Sequence, residues 1–384
     1  MRGFPKEEFI NRIAKLRQLM EKNHVDAIII TSPSNFRYFT GLDSYFWESP
    51  TRPWFVLIPL LKDPIAIVPS IGLSSLEKTW IDNIITWNSP NPEDEGISTV
   101  LNAIHSLKIE KGNIGFELGK ESFLRMKIND FRKLENQLQN FSIIDSSPLL
   151  WELRLIKSQN EINKIKDIIA IASKTFDNLA SKISLGMSEI EIANIFKKDI
   201  IDNGGDHTLY LACTSGNNGY DQIICDPTDK KTSNGDVLVI DTGSTKDGYF
   251  CDFNRNYGFG EIAAETKDCY SCLWQATESA IAIAKPGVSC SDLNDEMLKV
   301  LNQFKNSQNS VGRMGHGLGL QMTEPPSIMK NDKTALEKNM VITLEPSMEY
   351  KTGKMIVHEE NILITENGCE LLSTRTPKSL PIIN

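Results

Sequence analysis

The chain has 384 residues, 40% of them hydrophobic, with a formal net charge of −9 and an isoelectric point near 5.3. That length exceeds what one core usually serves, so two domains are expected. The acidity excludes nucleic-acid binding through a basic face.

No apolar run approaches the roughly 20 residues that span a membrane, so no membrane partner is expected. The opening residues, Met1 to Glu8, lack the apolar core of a signal peptide. Seven scattered cysteines read as reduced thiols, which places the chain in a cytoplasm. Cys269 and Cys272 form a C-x-x-C. Without a second pair to complete a thiolate zinc site, they read as small buried residues of a helix.

In chain order, the stretch from Glu7 to Asn23 has helical periodicity, with Phe9, Ile13, Leu16, Leu19 and Met20 on one face. Asp26 to Thr31 is a β-branched run that predicts a buried strand, broken by Pro33-Ser-Asn35. Trp54–Pro59 and Ile65–Pro69 predict a hairpin around a Lys-Asp-Pro turn. Asn113–Glu117 and Phe141–Asp145 predict two more strands with a helix between them. Strands alternating with helices make an α/β domain over residues 1–150.

A second domain is expected over residues 151–384. Ser158 to Ser181 is helical, opened by a capping box of Ser158 and Glu161. Ser188 to Asn203 is a second helix, ended by Gly204-Gly205. Strands at Val237–Asp241, Tyr249–Asn254, Val341–Glu345 and Asn361–Thr365 then alternate with helices near Ala263–Ala284 and Cys290–Phe304. The pattern is that of an α+β domain with a mainly antiparallel sheet.

Five residues of this second half stand in strand or strand-edge contexts: Asp241, Asp252, His316, Glu345 and Glu359. Asp241 ends the buried run Val-Leu-Val-Ile, where an uncompensated acid is costly. Lys246-Asp-Gly248 predicts a tight turn, and a hairpin would bring Asp252 back across the ladder from Asp241. His316 lies inside a glycine cluster, Gly315-His-Gly-Leu-Gly319, and Glu345 ends the apolar Val-Ile-Thr-Leu. Of the neighbours Glu359 and Glu360, alternation lets only one face a common pocket.

Four carboxylates and one imidazole in one pocket repel each other unless a cation neutralises them. Oxygen-rich ligation with a single imidazole suits one or two divalent ions; manganese, cobalt and iron fit well, and zinc stays open. Such a pair makes hydroxide from water at neutral pH and clamps a carbonyl. The chemistry indicated is that of a dinuclear metallohydrolase.

The motifs are Asp241-Thr-Gly…Gly248-Tyr…Cys-Asp252-Phe-Asn-Arg, Gly315-His316-Gly-Leu-Gly-Leu, Thr343-Leu-Glu345-Pro and His358-Glu359-Glu…Leu363-Ile-Thr-Glu-Asn-Gly368. In order and spacing the chain resembles the pita-bread family of methionine aminopeptidase, aminopeptidase P, prolidase and creatinase. Asn35-Phe-Arg-Tyr-Phe-Thr-Gly41 resembles the creatinase-type N-terminal domain, so the similarity covers nearly the whole chain.

The resemblance implies an α+β pita-bread catalytic domain preceded by a smaller α/β creatinase-type domain. It implies that Asp241, Asp252, His316, Glu345 and Glu359 ligate two metal ions, with Asp252 and Glu359 bridging and Glu345 moving protons. It also implies a homodimer and a dipeptide or other small-molecule substrate. Residues Tyr45 to Trp54, dense in aromatics, would be a loop reaching an active site or an ordinary interface plug.

The chain departs from the family's peptidases at three positions. Their accessory histidines fall here on Ile224, Gly312 and Thr323. Losing one such group typically costs a factor of about 10²–10⁴. Two readings follow. Either the enzyme remains an Xaa-Pro dipeptidase or aminopeptidase, with Arg313, Thr323, Glu324 or His358 substituting, or the scaffold opens a non-peptide C–N bond, as in creatine or ectoine hydrolysis. A dimethylsulfoniopropionate-type lyase or an inactive binding protein completes the range. Ser215-Gly-Asn-Asn-Gly-Tyr220 matches the family's substrate-side loop, which makes Tyr220 a candidate contact, followed by Asp221 and Asp226.

Overall fold

The computed structural model describes residues 2–304 and 312–383. Two compact units meet in sequence between Arg154 and Leu155. The first contains α1 (Lys6–Lys22), β1 (Ala27–Ile30), α2 (Pro33–Thr40), β2 (Phe55–Pro59), β3 (Ile65–Pro69), α3 (Leu73–Leu76) and β4 (Asn83–Trp87). α4 (Ile97–Ser106), β5 (Gly112–Phe116), α5 (Ile128–Gln137), β6 (Phe141–Asp145) and α6 (Ser147–Leu155) follow, with the unit boundary at the end of α6.

The six strands form one sheet in the order β4-β3-β2-β1-β5-β6. β1, β2 and β3 pair antiparallel, while β4, β5 and β6 join in parallel. β1 is buried along its whole length, which is why its sequence is continuously apolar instead of alternating. Ile29, Phe55, Leu57, Ile67 and Phe116 pack there with Val100, Leu101 and Ile104 of α4 and with Phe131 and Leu134 of α5.

The strand ends before Pro33-Ser-Asn35 as expected, and that segment is also the first turn of α2. Proline's fixed φ suits that position, and the Ser32 hydroxyl accepts from Asn35 N–H at 3.4 Å. Glu117 lies just past β5, 1% exposed, and its carboxylate accepts from the N–H groups of Thr31 (2.7 Å) and Ser32 (2.9 Å) at that helix start. The aromatic segment is pinned within this unit. Arg125 donates to the carbonyls of Phe46 (3.0 Å), Trp47 (3.2 Å) and Arg52 (3.3 Å). Trp47 and Trp54 meet edge to face at 5.4 Å.

The second unit contains α7 (Gln159–Leu179), α8 (Glu189–Asp202), β7 (His207–Asn217), β8 (Asp236–Lys246), β9 (Tyr249–Phe250), β10 (Phe253–Phe259), α9 (Ala264–Ile283) and α10 (Cys290–Leu301). β11 (His316–Gly317), β12 (Glu324–Ser327), β13 (Val341–Leu344), β14 (Ser347–Lys351), β15 (Lys354–Val357), β16 (Glu360–Ile364), β17 (Cys369–Leu371) and β18 (Ile382–Ile383) follow. Ser158 and Glu161 form the anticipated capping box on α7, and Ser188 and Glu191 repeat it on α8.

One sheet runs β18-β10-β8-β7, with β9 paired to β8. A second runs β12-β11-β13-β16-β17, and β14 and β15 form a ribbon. Pairing in these sheets is antiparallel except between β10 and β18. The core gathers Val237 and Val239 of β8, Ile342 and Leu344 of β13, Ile362 and Ile364 of β16 and the inner faces of α9 and α10. Cys269 and Cys290 are fully buried in it as free thiols. The fold is the α+β pita-bread type.

Two local expectations are corrected. The strand expected over Tyr249–Asn254 is interrupted, leaving Cys251 and Asp252 outside the ladder between β9 and β10. In the β8–β10 register Asn254, not Asp252, opposes Asp241, so Asp252 stands two residues along from direct opposition. Ser215–Asn217, read as a loop, are the last residues of β7, because its register with β8 extends to Asp236.

Candidate metal centre

The five residues singled out in the sequence arrive from two sheets. Asp241 sits inside β8, and Asp252 follows the turn at Asp247 and Gly248, both at positive φ. His316 opens β11, Glu345 follows β13, and Glu359 immediately precedes β16. Gly315, at φ 140°, lets the chain pass the Thr343 carbonyl, with which a side chain would collide.

Ligand atoms of Asp252, His316 and Glu359 lie within 4.8 Å of one another. His316 Nε2 is 3.4 Å from Asp252 Oδ2 and 3.1 Å from Glu345 Oε2. Its Nδ1 is 2.9 Å from the Gly317 carbonyl. A carbonyl only accepts, so Nδ1 carries a proton; Nε2 faces carboxylates and is protonated as well in the metal-free protein, and a metal ion would displace that proton to bind there. Thr343 Oγ1 accepts from His316 N–H at 3.2 Å and donates to Glu345 Oε2 at 3.3 Å, tying the two residues through one hydroxyl.

The electrostatics are those of overcrowded acids. Burial, then the charges of Asp252 and Glu345, hold Asp241 well above the usual carboxylate range. Burial, Asp252 and Asp241 do the same to Glu359. Burial lifts Asp252 to about 6, although contact with His316 opposes the rise. Burial alone would lower the His316 pKa, but hydrogen bonding to Asp252 and Glu345 outweighs it and raises the imidazole to about 10.

Two oxygens of the set, Asp241 Oδ1 and Glu359 Oε1, are sealed from solvent without a hydrogen-bond partner, although Asp241 as a residue is partly exposed. Buried carboxylate oxygens are rarely left so, and a divalent cation satisfies them and the raised pKa values together. The donor set of carboxylates with one imidazole therefore fits hard or borderline divalent metal.

The model of metallopeptidase family M24 matches residues 163–366, and that of the creatinase/prolidase N-terminal domain matches residues 12–156. This chain belongs to metallopeptidase family M24. The M24 chain is 26% identical over 366 residues to an uncharacterised peptidase of Staphylococcus epidermidis, covering 95% of this chain and 99% of that one. It is 26% identical over 371 residues to a Xaa-Pro dipeptidase of Pyrococcus horikoshii, covering 96% and 98%. Among solved structures it resembles an X-Pro aminopeptidase of Thermotoga maritima, with TM-score 0.82 and 26% identity over 97% of this chain and 99% of that one. It also resembles a prolidase of Thermococcus sibiricus, with TM-score 0.87 and 25% identity over 97% and 99%. The M24 chain is thus an enzyme of a metal-dependent hydrolase family.

The candidate substrate contacts of this M24 chain divide sharply. Arg313 donates from Nη1 to Ser327 Oγ (3.0 Å) and from Nη2 to Thr323 Oγ1 (3.3 Å), and its charge is felt at Asp252. Thr323 thereby serves Arg313. Glu324 is withdrawn: it is 1% exposed, paired with Lys157 Nζ at 3.3 Å and bonded to Gln321 N–H at 3.1 Å.

Tyr220 and His358 are corrected outright. Tyr220 is 1% exposed, and its hydroxyl donates to Asn256 Oδ1 at 3.0 Å while accepting from Val357 N–H at 2.6 Å. His358 alternates away from Glu359, packs edge-on to Tyr270 and meets Thr277 Oγ1 at 3.0 Å through Nδ1. Burial, then Arg375 and Arg255, push its pKa well below the ordinary value and keep it neutral.

One residue escaped the sequence reading. Tyr210 of β7 donates to the Ile223 carbonyl at 3.2 Å, and its pKa is raised by burial and then by Asp241, Asp252 and Glu359. Tyr210 stands in a stretch of strand that carries no motif. Only the pairing of β7 with β8 brings it to the acids.

Proposed function

We propose that this chain is an Xaa-Pro dipeptidase or aminopeptidase in which Asp241, Asp252, His316, Glu345 and Glu359 would hold two divalent ions, Asp252 and Glu359 being the residues that would serve both. The observation that carries the reading is the convergence of Asp252, His316 and Glu359, with Glu345 beside the imidazole and Asp241 close enough to feel their charge, while Asp241 Oδ1 and Glu359 Oε1 are unsatisfied. Manganese, cobalt, iron and zinc all suit the donor set. When bound, such ions supply a Lewis acid for the scissile carbonyl and a water that ionises near neutral pH.

The chain's own residues do the rest. The Glu345 side chain is 25% exposed, more open than those of Asp252 and His316, which suits it to exchange protons with a substrate. Its carboxylate takes the proton of the attacking water and delivers it to the leaving nitrogen. The Thr343 hydroxyl and the His316 imidazole fix its orientation. Arg313 has no carboxylate in ion-pair range among the described residues, and it holds the substrate's carboxylate end with Thr323 keeping the guanidinium in place.

A non-peptide C–N hydrolase is the second reading. It is favoured by the absence of imidazoles at Ile224, which is 79% exposed, and at Gly312 and Thr323. A cytoplasmic homodimer completes the proposal. The seven free cysteines suit a reducing compartment, and no helix among the described residues is long and apolar enough to cross a membrane.

The deciding experiment loads purified protein with Mn or Co and assays Xaa-Pro dipeptides and longer Xaa-Pro peptides beside creatine, ectoine and betaine or sulfonium osmolytes. Cleavage of a proline peptide that chelation abolishes is the expected result. Turnover of only the non-peptide compounds selects the second reading.

A further inference from the structure

Two side chains outside the carboxylate set grip the backbone of two of its members. Asp252 lies in the gap between β9 and β10, where no strand partner serves its peptide groups. The Asn361 amide takes that place. Asp252 N–H donates to Asn361 Oδ1 at 3.2 Å, and Asn361 Nδ2 donates to the Asp252 carbonyl. Asn361 is fully buried, and its own N–H is fixed on Ser373 Oγ at 3.2 Å.

The reverse grip comes from Arg255, three residues after Asp252. Its Nη1 donates to the carbonyls of Glu359 (3.0 Å) and Asn254 (2.6 Å), and its Nη2 to Thr374 O (2.6 Å) and Glu360 Oε2 (3.0 Å). Glu360 is 0% exposed and also accepts from Arg375 at 3.1 Å, so the guanidinium is both charge-balanced and held in plane. The ligand on each segment is thus held by a side chain from the other.

We propose that Asn361 and Arg255 are positioning residues that set the Asp252–Glu359 spacing, and with it whether the centre holds a coupled pair of ions or a single one. The inference rests on the two-ion reading above. Carboxylates shared by two ions must serve sites about 3.5–4 Å apart, so a small shift of either backbone removes one site. Partners one layer behind a ligand typically control metal affinity by about 10–100-fold.

The test uses full-length Asn361→Ala and Arg255→Lys. Mn uptake is followed by calorimetry and by the magnetic coupling between Mn ions in electron paramagnetic resonance. Melting of the metal-free forms is measured alongside. The expected result is a loss of affinity of about 10–100-fold, or of the coupled signal, in both variants. Wild-type affinity and an unchanged coupled signal in both would overturn the proposal, whatever their melting temperatures. If Asn361→Ala does not fold, Arg255→Lys decides alone, because lysine keeps the charge opposite Glu360. A wild type that takes up no metal is a separate result: it removes the centre itself.

Discussion

Glu345 Oε2 stands 3.1 Å from His316 Nε2, within reach of the Thr343 hydroxyl that also binds the His316 backbone. On the proposed reading, His316 as ligand, Glu345 as proton carrier and the Thr343 hydroxyl that touches both form one unit at the more open side of the acidic cluster. Replacing Glu345 by Gln keeps the shape and removes the base. The expected outcome is a fall in kcat of about 10²–10⁴ with a much smaller change in KM. Steady-state kinetics on matched metal-loaded protein checks it.

The crowded acids give the metal-free protein a pH dependence of definite sign. Asp252 rises from an ordinary 3.8 to about 6, and His316 from 6.5 to about 10. Both folded values are raised, so each group stabilises fully below its unfolded pKa and loses that contribution as pH rises through the folded value. For Asp252 the loss falls between about pH 4 and 6, and for His316 between about pH 6.5 and 10. Chelated protein should therefore gain more in melting temperature on adding Mn at pH 7.5 than at pH 5. Thermal scans at the two pH values test this, and an equal gain counts against the crowding.

Arg313 is held by two hydroxyls, from Ser327 and Thr323. If it binds the substrate's carboxylate, Arg313→Met should raise KM for a free dipeptide by about ten- to a hundredfold, the size of a lost charged hydrogen bond. The same substitution should barely affect the dipeptide amide. Equal losses on both substrates would refute the role.

Tyr220 was a candidate substrate contact, but its hydroxyl is spent inside the core on Asn256 and Val357. Tyr220→Phe leaves the Val357 N–H without its partner at a cost of about 1–3 kcal/mol in stability. KM should not change. Urea unfolding measured beside kinetics separates the two effects.

Lys157 and Glu324 form an ion pair with both side chains 2% exposed. Lys157→Met strands the Glu324 charge and should cost about 3–5 kcal/mol, whereas Lys157→Met combined with Glu324→Gln should cost less. A double-mutant cycle in denaturant measures the difference.

The sequence by itself singled out the five candidates, because an acid ending a buried apolar run, as Asp241 does after Val-Leu-Val-Ile, is costly wherever it lands, and the motif order supplied the resemblance that implied their roles. It also determined the capping box at Ser158, since a cap is a local hydrogen-bond pattern legible within four residues, and the structure repeats the pattern at Ser188. Tertiary structure alone decided which polar side chains near those motifs are free to act. Tyr220, His358 and Glu324 read as available in one dimension, yet the core consumes each of them. Tyr210 lies outside every motif and Asn361 went unremarked inside one, yet pairing and side-chain hydrogen bonds bring both to the acids. The physical reason is that motif chemistry is set by neighbours in sequence, whereas a side chain's partners and exposure are set by strands that meet only after folding.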